Sequence, residues 1–270
     1  MVQIRSVMKL QNKETLQNEI QKLPIFTQKE IWTIKDGEQD SNNVTIQRND
    51  GWKAITNDND IYSVVTDKYQ LIQFAEVFNL ITSKFDKFIG RVYQHRASAV
   101  LVVFPEQQVI QLEEVKGKIG LYALNSVDKS TSVFIRFIIK TEKNWFVVPR
   151  VKTFRQVHMG EKMETKIDDF TDLMKNVQTE WQQILTHFKK TKVRVKDFDA
   201  AAKRCGIVNK PYIELIKNKI KQNEIVNFWD LFVEMTKAAS MIQPKSELRA
   251  FKLLEKIADE VNRLSFLMKI

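Results

Sequence analysis

An α+β fold is what this 270-residue sequence predicts: an antiparallel sheet of about five to seven strands, with an N-terminal helix before it and a helical C-terminal region after it. Three observations carry that expectation. Between Phe88 and Val157, six successive segments are rich in β-branched and aromatic residues, with no helical stretch between them. Strands joined without crossover helices pair as antiparallel neighbours. After Gly160 the apolar spacing becomes helical and stays so. Hydrophobic residues make up 43% of the chain, enough for a core and too many for a disordered polymer.

The elements follow in chain order. Residues 10–23 are Gln-rich with helical spacing, and Pro24 ends the helix because proline cannot continue the ladder. Asp36-Gly37 and the polar run 38–43 read as a turn and an exposed loop. Short strands are expected at 44–48, 52–56 and 61–66, where apolar or β-branched residues cluster between Asn/Asp-rich turns. Asp67 suits a helix N-cap, and Leu71, Phe74, Ala75, Phe78, Ile81 and Phe85 then fall at helical spacing. The strand segments are FIGRVYQH, AVLVVFP, QVIQLEEV, KIGLYALNS, TSVFIRFIIK and NWFVVPRVKTFRQV. Beyond them, Phe170, Leu173, Met174, Val177, Trp181, Ile184, Leu185 and Phe188 trace one apolar stripe, and Leu248, Phe251, Leu254, Ile257, Val261, Leu264 and Met268 another. Short helices are expected between the stripes at 195–205, 211–221 and 227–242. The chain thus divides into a helical and loop segment (1–43), a β-rich core with one helix (44–160) and a helical region (161–270).

Charge points toward function. The net charge is +10, and between Thr186 and Gln222 eleven bases face three acids, Asp197, Asp199 and Glu214. A polyanion is drawn to such a surface because each neutralised phosphate releases a condensed counterion. No apolar run approaches the roughly 20 residues that span a bilayer, and the N-terminal residues lack the pattern of a secretory signal. The expected location is the cytoplasm of a host cell. The single cysteine, Cys205, reads as a small helix-packing residue.

Catalytic chemistry finds little support. His95, His158 and His187 fall on three different elements, and no zinc-protease, CxxC, nucleophile-elbow or P-loop pattern occurs. Glu113-Glu114 and Asp168-Asp169 are adjacent pairs, which diverge on a strand or helix, so neither presents two convergent oxygens by itself. Asp168 and Asp169 suit the positive end of a helix better. No catalytic residue, metal or cofactor is expected. His158 with a distant carboxylate is the remaining hydrolase possibility.

The strand 145–157 suits binding instead. Phe146, Val148, Arg150, Lys152 and Phe154 share one parity of an unbroken strand, which puts two cations between two rings. Bases stack on rings while phosphates meet cations, so this suits single-stranded nucleic acid. Pro149 interrupts the alternation. The competing reading is a half-buried strand whose rings point inward and whose long cations snorkel. Arg136, Lys140, Arg150, Lys152 and Arg155 are the expected phosphate contacts, Trp145, Phe146 and Phe154 the stacking rings. Lys189, Lys190, Lys192 and Arg194 open the helical block that would steer the strand.

Three segments, IYSVVTDKYQLIQFAEVFNLI, LNSVDKSTSVFIRFII and VPRVKTFRQVHMGEKMETKIDDF, occur in an order that resembles the phage and plasmid family catalogued as domain of unknown function nine-three-two. The resemblance spans residues 52–192. Occurrence on mobile elements implies a role in nucleic-acid metabolism. By fold-level analogy, phage single-strand annealing proteins also combine a basic groove on a small sheet with helices, and assemble into rings or filaments. The expectation is a non-catalytic nucleic-acid-binding protein of a phage, virus or plasmid. It would bind and anneal single-stranded DNA in recombination or replication, as a homo-oligomer away from membranes. The alternative is a self-assembling scaffold protein that pairs its amphipathic C-terminal helices.

Overall fold

The computed structural model describes residues 10–35, 45–58, 60–112, 115–128, 133–142, 144–149, 154–156, 174–241 and 247–267. It is α+β. A two-residue strand β1 (Gln11–Asn12) leads into α1 (Lys13–Gln21), capped by the Asn12 side chain accepting from the Thr15 N–H. Next, β2 (Thr27–Lys35), β3 (Thr45–Asn57) and β4 (Asp60–Thr66) form a small antiparallel sheet, and α2 (Phe74–Thr82) follows. The large antiparallel sheet comprises β5 (Phe88–His95), β6 (Ser98–Pro105), β7 (Val109–Leu112), β8 (Val115–Ser126), β9 (Val133–Thr141), β10 (Trp145–Val147) and β11 (Phe154–Gln156), with β1 at one edge. Its order is β1-β5-β6-β8-β9-β10; β7 also pairs with β8, and β11 with β9. Among the described residues, five helices follow: α3 (Met174–Lys190), α4 (Val195–Cys205), α5 (Lys210–Lys221), α6 (Phe228–Met241) and α7 (Glu247–Leu267).

Helices cover both faces of the large sheet, which explains its sequence. Every residue of β6 is buried, as expected of a central strand that reads as a continuous apolar run rather than an alternating one. On one face the Tyr122 ring stacks on Phe251 of α7, centroids 5.1 Å apart. Asn125 lies three residues on and therefore points to the other face. There its Nδ2 donates to the Ile72 carbonyl oxygen, just before α2, at 3.0 Å. One contiguous apolar cluster runs from Leu16 of α1 to Leu264 of α7.

Gly120 of β8 marks a tight approach in that core. A Cβ there would run into the Val103 carbonyl oxygen and come within 2.5 Å of Cδ1 of the Phe104 ring. Gly120→Ala is therefore expected to cost about 1–3 kcal/mol by overpacking. Urea denaturation should show a lower midpoint at unchanged slope.

Three local features depart from the sequence reading or were missing from it. The segment 27–35 is a strand that the sequence did not announce: among the described residues β2 pairs only with β3, and it carries polar Thr27, Lys29 and Glu30 and loses its two-residue rhythm at an irregularity between Glu30 and Trp32. Asp67 is not a helix cap: it lies in the turn just after β4, where its N–H donates to the Gly51 carbonyl oxygen, and α2 begins only at Phe74. Gln73 takes the N-cap position of α2, while its side-chain amide holds both the N–H and the carbonyl of Phe26, at 3.1 and 2.9 Å. The third concerns the strand expected to run unbroken beyond Trp145. It is two short strands on one edge of β9. Eight residues separate Phe146 from Phe154, whereas four separate their partners Ile139 and Ile135. Pro149, which has no N–H for the ladder, follows directly after the last bond, from the Val148 N–H to the Phe137 carbonyl oxygen.

Candidate nucleic-acid interface

The aromatic and basic residues around β9 and β10 are held inside the fold. Phe146 is buried against Trp229 (centroids 5.6 Å apart), Phe232 (5.5 Å) and Trp181 (6.5 Å), joining the edge strand to α3 and α6. Trp145 points the other way, as adjacent strand residues must. It meets Phe104 at 5.4 Å and Phe251 of α7 at 6.2 Å. The Lys140 Nζ lies 5.8 Å from the Trp145 ring centre, a cation–π contact on the half-buried rim of the same face.

Arg136 is engaged in the same way. It is 8% exposed, with its guanidinium over the Phe134 ring and its Nη2 donating to Asp259 Oδ2 of α7 at 2.8 Å. Its Nε and Nη1 are buried without a hydrogen-bond partner among the described residues. Burial holds the nearby Glu255 carboxyl above its usual range, with Arg136 opposing that rise and Asp259 adding to it. Arg150 and Lys152 lie outside the described residues, and Phe154 and Arg155 are described by backbone alone, paired with Ile135 and Phe134.

The helical block has the opposite character. Its three acids are each held by a base of the same block: Asp197 by Arg194 (3.0 Å), and Asp199 and Glu214 by Lys217 (2.9 and 3.6 Å). Arg194 caps α4 in doing so, because its backbone N–H also donates to Asp197. Arg204 and Lys219 pair with Glu260 and Glu234 from elsewhere in the helical region. Lys189, Lys190, Lys192, Lys196, Lys203, Lys210 and Lys221 are exposed. Lys196 and Lys203 are seven residues apart on α4, and Lys210 and Lys221 eleven apart in α5. Those spacings are close to two and three turns, so each pair shares a face of its helix.

The remaining candidates are quiet. His95 ends β5 and is exposed, while the His187 ring lies 3.1 Å from the Ser265 carbonyl oxygen and against Phe266. His158, Glu113, Glu114, Asp168 and Asp169 lie outside the described residues. Cys205, the last residue of α4, is buried, and burial, then the Glu260 charge, pushes its thiol up to about 12, which keeps it protonated and unreactive near neutral pH. Among the described residues, no helix is long and apolar enough to cross a membrane.

Two exposed rings escaped the sequence reading. Trp32, 56% exposed, and Trp52, 46% exposed, stand on the small sheet, where Arg48 is paired with Glu30 and Asp50. A lone Trp amid polar neighbours, as in NDGWK, was the available signal. Comparison of the chain with protein families, with curated proteins and with solved structures finds no match.

Proposed function

We propose that the protein binds nucleic acid through the helical block from Lys189 to Lys221, with single-stranded DNA as the ligand and annealing in recombination or replication as the service. One observation supports this most directly: the acids of the block are neutralised within it, while seven lysines face solvent. Phosphates offer such a surface counterion release without any need for sequence. The resemblance of residues 52–192 to a phage and plasmid family supplies the mobile-element setting. Lys140, and Arg150, Lys152 and Arg155 on the strand side, remain candidate extensions of the track.

A salt titration tests the reading. Replacing Lys189, Lys190 and Lys192 together by Gln is expected to reduce the slope of log affinity against log salt by about 2, close to 0.7 per lost phosphate contact on a single strand. An unchanged slope removes these three lysines from the interface. The scaffold alternative rested on the stripe of α7, and Phe251, Leu254, Ile257, Val261 and Leu264 of that stripe are buried in the protein's own core.

A further inference from the structure

The link between α4 and α5 is a four-residue turn held by hydrogen bonds at both ends. Gly206 closes α4 in the left-handed conformation (φ 76°, ψ 27°), and the Ile207 N–H donates to the Ala202 carbonyl oxygen at 2.8 Å. Asn209 then caps α5, its side-chain oxygen accepting from the Tyr212 N–H at 3.0 Å, and Pro211 presets the first turn. The inner face of α5 is anchored by Tyr212, Ile216 and Ile220, all buried. The Tyr212 hydroxyl donates to the Glu234 carbonyl oxygen of α6 at 2.7 Å, and Lys217 reaches Asp199 of α4. The direction in which α5 presents its outer face is therefore set by the fold.

That outer face has a definite chemistry. At 100° per residue, Lys210, Pro211, Leu215, Asn218, Lys221 and Gln222 occupy a sector of about 140° with Asn218 near its middle. All six are exposed. Glu214 lies in the same sector, 3.6 Å from Lys217. Val208 in the turn is 84% exposed and Leu215 50% exposed, so methyl groups stand beside amides. A helix that docks into a protein groove repeats apolar anchors three, four and seven residues apart. Here the positions three and seven residues after Leu215 are Asn218 and Gln222. An amide donates and accepts at once, as the exposed edge of an adenine requires, and a methyl suits thymine. Lys210 and Lys221 lie along one border of the sector and Lys203 is exposed just before the turn, placed to meet the phosphates along one side of a groove.

We infer that α4, the turn and α5 act as a helix–turn–helix unit that seats α5 in the major groove of duplex DNA, with Leu215, Asn218 and Gln222 against base edges. This adds duplex DNA to the single-strand reading and shares with it only the lysines. The test compares wild type with a variant carrying Leu215→Ala, Asn218→Ala and Gln222→Ala, which leaves the net charge unchanged. Affinity is measured by fluorescence anisotropy on a duplex and on a single strand of the same sequence.

The variant is expected to bind the duplex at least about tenfold more weakly, the loss of one or more base contacts. Its single-strand affinity should stay the same. Unchanged duplex affinity overturns the inference, and so does an equal loss on both forms, or a wild type that does not bind duplex. Should wild type bind duplex alone and the variant lose it, the single-strand function falls and the α5 unit stands.

Discussion

Phe146→Ala is expected to lower stability by about 3–5 kcal/mol while leaving the affinity of the folded protein for single-stranded DNA unchanged. The side chain is buried among Trp181, Trp229 and Phe232, so truncation removes apolar area from the core and opens a void where an edge strand meets α3 and α6. The aromatic pairs add about 0.5–1.5 kcal/mol each beyond area, which places the loss toward the upper end. Chemical denaturation gives the stability, and anisotropy under fully folded conditions gives the affinity. A stable variant with weakened binding would return Phe146 to the role of a stacking ring.

Asp259→Asn is the second large effect expected, at about 2–3 kcal/mol of destabilisation. Removing one partner of a fully buried ion pair costs about 3–5 kcal/mol, because the other charge is left unneutralised. Here Arg136 is buried and Asp259 is half exposed, so solvent recovers part of that cost. The double variant Arg136→Met with Asp259→Leu should regain most of the loss, since a well-packed apolar pair replaces a buried ion pair at little cost. The same experiment weighs the alternative role of Arg136. Were its guanidinium a phosphate contact competing with Asp259, Asp259→Asn would strengthen nucleic-acid binding; unchanged affinity is the expected result.

Class and order of elements were legible because they depend on periodicity. The short helix at 195–205 and its neighbours α5 and α6 follow apolar spacings and punctuation such as Gly206 and Pro211. β2 was not legible, since an edge strand paired on one side needs few apolar residues and its rhythm breaks at an irregularity. The candidate site divided in the same way. The basic helical block was readable as charge, and its exposed lysines follow directly from composition. Which rings face water was not readable, because Trp145 and Phe146 bury opposite faces of one edge strand against different helices, a matter of tertiary contact. Arg136 misled for a related reason: its partner, Asp259, lies 123 residues further along the chain.

The cover that α7 provides over Tyr93, Tyr122 and Trp145 carries a consequence for biogenesis. Synthesis proceeds from the N-terminus, so the strands emerge from the ribosome well before the helix that caps their aromatic side. Until Phe251 arrives, a nascent chain displays a ring-studded sheet to the cell. Such a surface invites holdase chaperones and aggregation, which makes the yield of native protein depend on how quickly the final helix docks.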